Sequence, residues 1–127
     1  MKLPESLRYA STHEWARREA DGTVAVGISD HAQDSLGELV FIELPEAGRR
    51  LAAGEACAVV ESVKAAADVY APVAGEVVAR NDALCGAPGE LNKDPYAAWL
   101  FRIKPDAGAG LENLMDADAY RRSFPQA

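Results

Sequence analysis

The sequence predicts a mostly β fold, a sandwich or barrel with a few short helices. Three observations predict it. Short runs rich in Val, Ile and Phe recur along the chain, Gly and Pro punctuate them, and helical spacing is confined to a stretch after Ser29 and to the tail. The chain has 127 residues, 49% of them hydrophobic and 26% charged, ordinary values for a globular protein. One domain is expected over residues 1–127, with a core from about 9 to 105 and a helical tail from about 111 to 124.

Tyr9 to Trp15 reads as a short strand or extended lead-in, with both aromatics in or near the core. Ala16 to Gly22 is charged and closes on Asp21-Gly22, a turn signal, so Thr23 to Ile28 completes a hairpin. Ser29 offers an N-cap oxygen and Gly37 a stop, which predicts a helix of about two turns between them. Leu39 to Leu44 is apolar and β-branched, hence a strand, and Pro45-Glu46-Ala47-Gly48 breaks it. Leu51 to Gly54 leads into strands over Ala56–Val63 and Ala67–Val73, and Glu76–Ala79 follows Gly75 as another. Asn81 to Pro95 reads as loop. Alternation returns at Trp99, Phe101 and Ile103, which are expected on one face. In the tail, Leu111, Leu114, Met115 and Ala119 fall at helical spacing, predicting one or two short helices packed on the sheet.

The formal charge of −7 argues against a nucleic-acid groove and favours steering toward basic patches on partner proteins. No apolar run approaches membrane-spanning length. The start, Met1-Lys2-Leu3-Pro4-Glu5, shows no apolar or Arg/Ser-rich targeting segment, so a bacterial cytoplasmic location is expected. Cys57 and Cys85 form no C-x-x-C pair and read as free, buried or semi-buried thiols. His13 and His31 lie far apart in sequence without ligand spacing, and no metal site is expected. Rossmann, P-loop and nucleophile-elbow motifs are absent from the sequence.

Lys64 stands out by position and by charge. Gly54-Glu55 precedes it and Gly75-Glu76 follows at nearly equal distance, with strand-like residues on both sides. This puts Lys64 at or beside a hairpin turn. Between Leu51 and Ala79 it is the only basic residue, and Ala65, Ala66 and Ala67 leave its amine accessible. A long flexible stem adds reach to whatever is attached there. On these grounds alone an ordinary turn lysine is the commoner reading, and the cargo stays open.

Glu61 to Val77, including Ser62-Val63-Lys64-Ala65, resembles the lipoyl-attachment region of glycine cleavage system H proteins. Ser11–Trp15, Val26–Gly37, Val40–Pro45, Asn92–Tyr96 and Trp99-Leu100 resemble further motifs of that family in the same order, so the likeness spans roughly Tyr9 to Tyr120. The resemblance implies a flattened β barrel-sandwich hybrid, as in lipoyl and biotinyl carriers. It implies lipoic acid amide-linked to Lys64, within the attachment context of Glu61, Ser62, Val63 and Ala65. The implied role is a non-catalytic carrier. It would take the aminomethyl group of glycine from a PLP-dependent glycine decarboxylase (P protein) to a tetrahydrofolate-dependent aminomethyltransferase (T protein). Electrons would then pass to dihydrolipoamide dehydrogenase (L protein), and a lipoate-attaching enzyme would load the arm. Positions matching the family's arm-docking cleft are Thr12, Glu14 and Asp68, the two carboxylates being suited to hold a protonated amine.

Two departures are Ala66-Ala67, where relatives often carry Ser or Thr, and Cys85, which is not a family hallmark. A biotinyl carrier would show methionines flanking the lysine, and a 2-oxoacid dehydrogenase domain usually shows Asp-Lys-Ala; this chain has Val63-Lys64-Ala65. An H-like donor or acceptor of lipoyl or octanoyl groups in lipoate metabolism would look nearly identical, and stays as the alternative. An unmodified interaction module is the remaining reading.

Overall fold

The computed structural model describes residues 2–125. Nine strands and four short helices follow one another in the order β1 (Arg8–Tyr9), β2 (Glu14–Arg18), β3 (Val24–Ile28), α1 (Asp30–Leu36), β4 (Leu39–Glu43), β5 (Arg50–Leu51), β6 (Ala56–Ser62), β7 (Ala66–Tyr70), β8 (Gly75–Arg80), α2 (Ala83–Gly86), α3 (Glu90–Lys93), β9 (Phe101–Pro105) and α4 (Ala117–Ser123). A six-stranded sheet runs β1-β2-β3-β9-β8-β5 and a three-stranded one β4-β6-β7, all pairs antiparallel. The two sheets do not close into a barrel. Val24, Val26, Ile42, Val60, Val69, Val77, Phe101 and Ile103 share one buried cluster, drawn from both sheets. Antiparallel strands with one face buried require this alternation of apolar and polar positions.

A second cluster holds the chain ends. Leu3, Leu7, Tyr9, Trp15, Ala25, Tyr96, Ala117 and Tyr120 bury one another on the outer side of the large sheet. Tyr9 and Tyr120 stack with centroids 4.8 Å apart, and the Trp15 indole N–H donates to Pro95 O at 2.9 Å. Gly27, paired with Trp15, leaves the space for that indole: a Cβ there would lie 2.5 Å from its ring atoms.

Several boundaries differ from the sequence expectation, each for a local reason. β2 runs through Arg18, because a charged edge still pairs when its partner strand β3 is apolar. β7 stops at Tyr70, two residues before Pro72. Asn81 to Pro95 contains two one-turn helices, pinned by burial of Leu84 and Leu91. Trp99 does not share a face with Phe101 and Ile103: β9 begins at Phe101, and Trp99 lies outside under the Arg102 guanidinium, 4.3 Å from its ring centre. The tail is helical only from Ala117. Asp116 caps that helix by accepting from Ala119 N at 2.8 Å, whereas Met115 is extended and bridges to Tyr9.

Candidate functional site

Lys64 sits on the turn that joins β6 to β7. Ser62 closes that turn: its backbone N–H donates to Ala65 O at 2.7 Å, and its buried hydroxyl accepts from the N–H groups of Lys64 (3.3 Å) and Ala65 (3.1 Å). A serine oxygen taking the turn's own amides is what fixes such a tight loop. Val63 and Lys64 then project from the tip, Val63 with 88% of its surface exposed. Glu61 is half-buried one step back along β6, opposite Ala66, and Ala65 is exposed.

The far end of the lysine side chain passes the C-terminal end of α1. Gly37 ends that helix at φ 85°, and a Cβ at this position would lie 3.4 Å from Lys64 Cε and 3.8 Å from Nζ. Asn92 of α3 holds the same corner together. Its amide donates to Gly37 O (2.9 Å) and Gln33 Oε1 (3.0 Å), and its carbonyl accepts from Leu39 N (2.9 Å). Three of the four hydrogen-bonding positions of that half-buried side chain are thus directed at the α1–β4 junction beside the lysine.

A cleft of about 470 Å³ opens farther along β7. Tyr9, Ala10, Ser11, Thr12 and Glu14 line it from the first strands, Gly54, Tyr70, Ala71 and Pro72 from the hairpin, and Asn113, Leu114 and Met115 from the tail. Four steps of strand separate Ala66 from Tyr70, about 13 Å at ~3.3 Å per residue. Glu14 is the one charged side chain in the lining and is only 2% exposed. Its Oε1 accepts from the Thr12 hydroxyl and its Oε2 from Tyr70 N at 3.0 Å. Burial raises its pKa above the ordinary range, against the opposing pull of those two donors. Among the described residues no cation lies within ion-pairing distance of Glu14.

Thr12 and Glu14 are therefore brought together, but Asp68 is not brought to them. Asp68 stands exposed on the outer face of β7, opposite Val59, in a shallow depression with Glu43 and Arg49. The sequence reading also did not single out Tyr70, Leu114 and Met115. Tyr70 lies two residues beyond Asp68 and was within reach of that reading; the tail residues carry no local signal. His13 and His31, distant in sequence, meet in space with ring centroids 4.7 Å apart. No group of three or more His, Cys, Asp or Glu suited to a metal occurs among the described residues. Cys57 is buried and its thiol is pushed up to about 12 by that burial, whereas Cys85 on the one-turn helix α2 is exposed, contrary to expectation, with its thiol donating to Ile42 O at 3.5 Å.

The family model for the glycine cleavage H-protein matches residues 7–126. This chain belongs to that family. It is 65% identical over 119 residues to the glycine cleavage system H protein of Methylococcus capsulatus, covering 94% of each chain. It is 59% identical to glycine cleavage system H protein 2 of Pseudomonas aeruginosa, covering 94% of this chain and 92% of the relative. The crystal structure of a glycine cleavage system H protein from Mycobacterium marinum superposes with a TM-score of 0.88 at 37% identity, covering 97% of this chain and 99% of the other. In this member of the family, the lysine turn and the carboxylate cleft lie along one strand, β7.

Proposed function

We propose that this chain is the lipoyl carrier of a glycine cleavage system, with Lys64 as the attachment residue. The observation that carries the reading is the pairing of an exposed lysine on a tight turn closed by Ser62 with a cleft farther along β7 whose single charged side chain is a buried carboxyl with no cation beside it among the described residues. The residues fit the implied group: the amine is open to a loading enzyme, and the cleft is largely apolar with one charged anchor. When bound, the lipoyl group supplies a dithiolane that carries the aminomethyl group of glycine and accepts two electrons.

The chain's own residues present, receive and shield. Ser62 and Asn92 fix the direction in which Lys64 leaves the surface. Glu14 offers a desolvated carboxylate to a protonated amine, a charge-assisted contact worth more here than in water. Tyr9, Leu114 and Met115 exclude water around it. Asp68 lies outside this cleft, and its role is better sought on the outer face of the small sheet. The chain performs no bond-breaking step in this scheme. Its partners are the P, T and L proteins and a lipoate-attaching enzyme, in a bacterial cytoplasm. No helix among the described residues is long and apolar enough to cross a membrane. The names of the relatives favour glycine cleavage over a dedicated lipoyl or octanoyl donor role.

Intact-mass measurement after expression with lipoate, followed by peptide mapping, tests the assignment. Addition at Lys64 is expected, together with glycine-dependent CO2 exchange by a cognate decarboxylase. Lys64→Arg should gain no mass and support no exchange; full activity of that variant would overturn the reading.

A further inference from the structure

Four large hydrophobic side chains are exposed in this protein among the described residues, and three gather at the lysine end: Val40 (53%), Phe41 (48%) and Val63 (88%). The backbone puts them there. Between Leu39 and Phe41, β4 advances two residues while β6 advances one, from Ser62 to Glu61. Without this bulge, alternation would turn Phe41 inward after Val40. With it, Val40 and Phe41 both face solvent, while Leu39 and Ile42 on either side stay buried. Leu39 pairs with the turn-closing Ser62, so the bulge lies immediately beside Val63 and Lys64. An exposed aromatic on a three-stranded edge is an aggregation liability, and a contiguous apolar patch on a soluble protein marks a contact surface.

Charge surrounds the patch on the same face. Phe41, Glu61 and Ala66 form one cross-strand row, and Glu43, Val59 and Asp68 the next. Glu38 precedes β4. None of Glu38, Glu43, Glu61 and Asp68 makes an ion pair among the described residues. Lys64 is the one cation on the turn, and amide formation would remove its charge.

We infer that Val40, Phe41 and Val63 form an apolar collar, rimmed by Glu38, Glu43, Glu61 and Asp68, on which the lipoate-attaching enzyme seats an apolar lip edged with Arg or Lys while taking in Lys64. The inference rests on the carrier reading. A second copy of this chain is a poor occupant, because a symmetric contact would press the same carboxylates against each other. A basic-rimmed enzyme face satisfies both the patch and its border. Asp68 acquires a place in this arrangement that the cleft does not give it.

The test uses the unloaded full-length chain and a lipoate–protein ligase, with mass gain at Lys64 as the readout and KM separated from kcat. Phe41→Ser is expected to raise KM about tenfold with kcat nearly unchanged, the size usual for a central apolar contact. Val78→Ser, at the fourth exposed hydrophobic, 41% exposed on β8, should keep the wild-type KM. Equal thermal midpoints for the two variants exclude misfolding as the cause. A wild-type KM in Phe41→Ser, or an equal rise in Val78→Ser, would overturn the collar. Concentration-dependent dimerisation of wild type that Phe41→Ser abolishes would also overturn it, by assigning the patch to a second copy. A wild-type chain that gains no mass at Lys64 would sink the carrier reading itself, a result distinct from a modified chain with an indifferent collar.

Discussion

Glu14 is a carboxyl group that the fold buries with no cation beside it among the described residues. Its two oxygens each hold one donor, and their remaining lone pairs have only the cleft to face. Because its folded pKa is raised above the ordinary 4.5, its stabilising share is complete below that value and is lost as pH rises through the folded pKa. Replacing the carboxylate by an amide removes the desolvated charge. Glu14→Gln should therefore melt higher than wild type near pH 8, with the advantage shrinking toward pH 4. A constant difference at both ends would contradict this account. The same variant should shorten the lifetime of a loaded arm, since its amide offers an ammonium no opposite charge. Lys64 and Glu14 stand out as candidates in the sequence because each sits inside a contiguous matching run. Asp68 sits in such a run too, but strand alternation and register direct it to the outer face.

At the scale of elements, the β6–β7 turn depends on one hydroxyl. Ser62→Ala leaves the amides of Lys64 and Ala65 without that acceptor, at a cost of about 1–2 kcal/mol, and should loosen the turn without moving either strand. A drop in denaturation midpoint with slower loading by the ligase is the expected pair of results; an unchanged midpoint would show the hydroxyl to be dispensable. Helix α4 depends on an imidazole in a similar way. The Tyr120 hydroxyl lies 2.6 Å from His13 Nδ1 and 2.9 Å from Ser29 Oγ, and Phe124 packs edge-on against His13 at 4.6 Å. Burial, and then His31 beside it, hold the His13 pKa below 6.5. The contribution of a neutral His13 is thus present above 6.5 and is lost as pH falls toward the folded pKa. Amide exchange at Tyr9 and Met115, which bridge each other just before α4, should accelerate as pH falls below 6.5, and His31→Gln should weaken that dependence. Exchange that ignores pH beyond its intrinsic chemistry would refute the link. Strand existence and the α1 caps were readable from period and capping residues. The β4 bulge, the one-turn helices and the true start of α4 were not, because each is decided by what packs across from it.

Across the whole molecule, the cleft draws on the first strands, the central hairpin and the tail, and no sequence pattern joins residues 9, 70 and 115. Only the packing of the two sheets on each other and the return of the tail to Tyr9 bring them together. The same packing sorts charge in a way that the total of −7 conceals. Arg17 and Arg102 share Glu19 on the large sheet, and Arg50 pairs with Asp106. Asp34, Glu38, Glu43, Glu61 and Asp68, toward the lysine end, have no such partners among the described residues. The unpaired charge at that end is therefore negative, and on the carrier reading this is where the arm would be handed over. Steering of this kind acts on encounter rates and is screened over roughly 8 Å at physiological salt. Association of the loaded chain with its decarboxylase, followed by stopped flow, should slow by about tenfold between roughly 0.05 M and 0.5 M salt. Glu43→Lys should lower the low-salt rate and flatten its salt slope while leaving the melting temperature close to wild type, because Glu43 is exposed and unpaired. Rates that do not change with salt would mean that the acidic end plays no part in finding partners, leaving contact alone to select them.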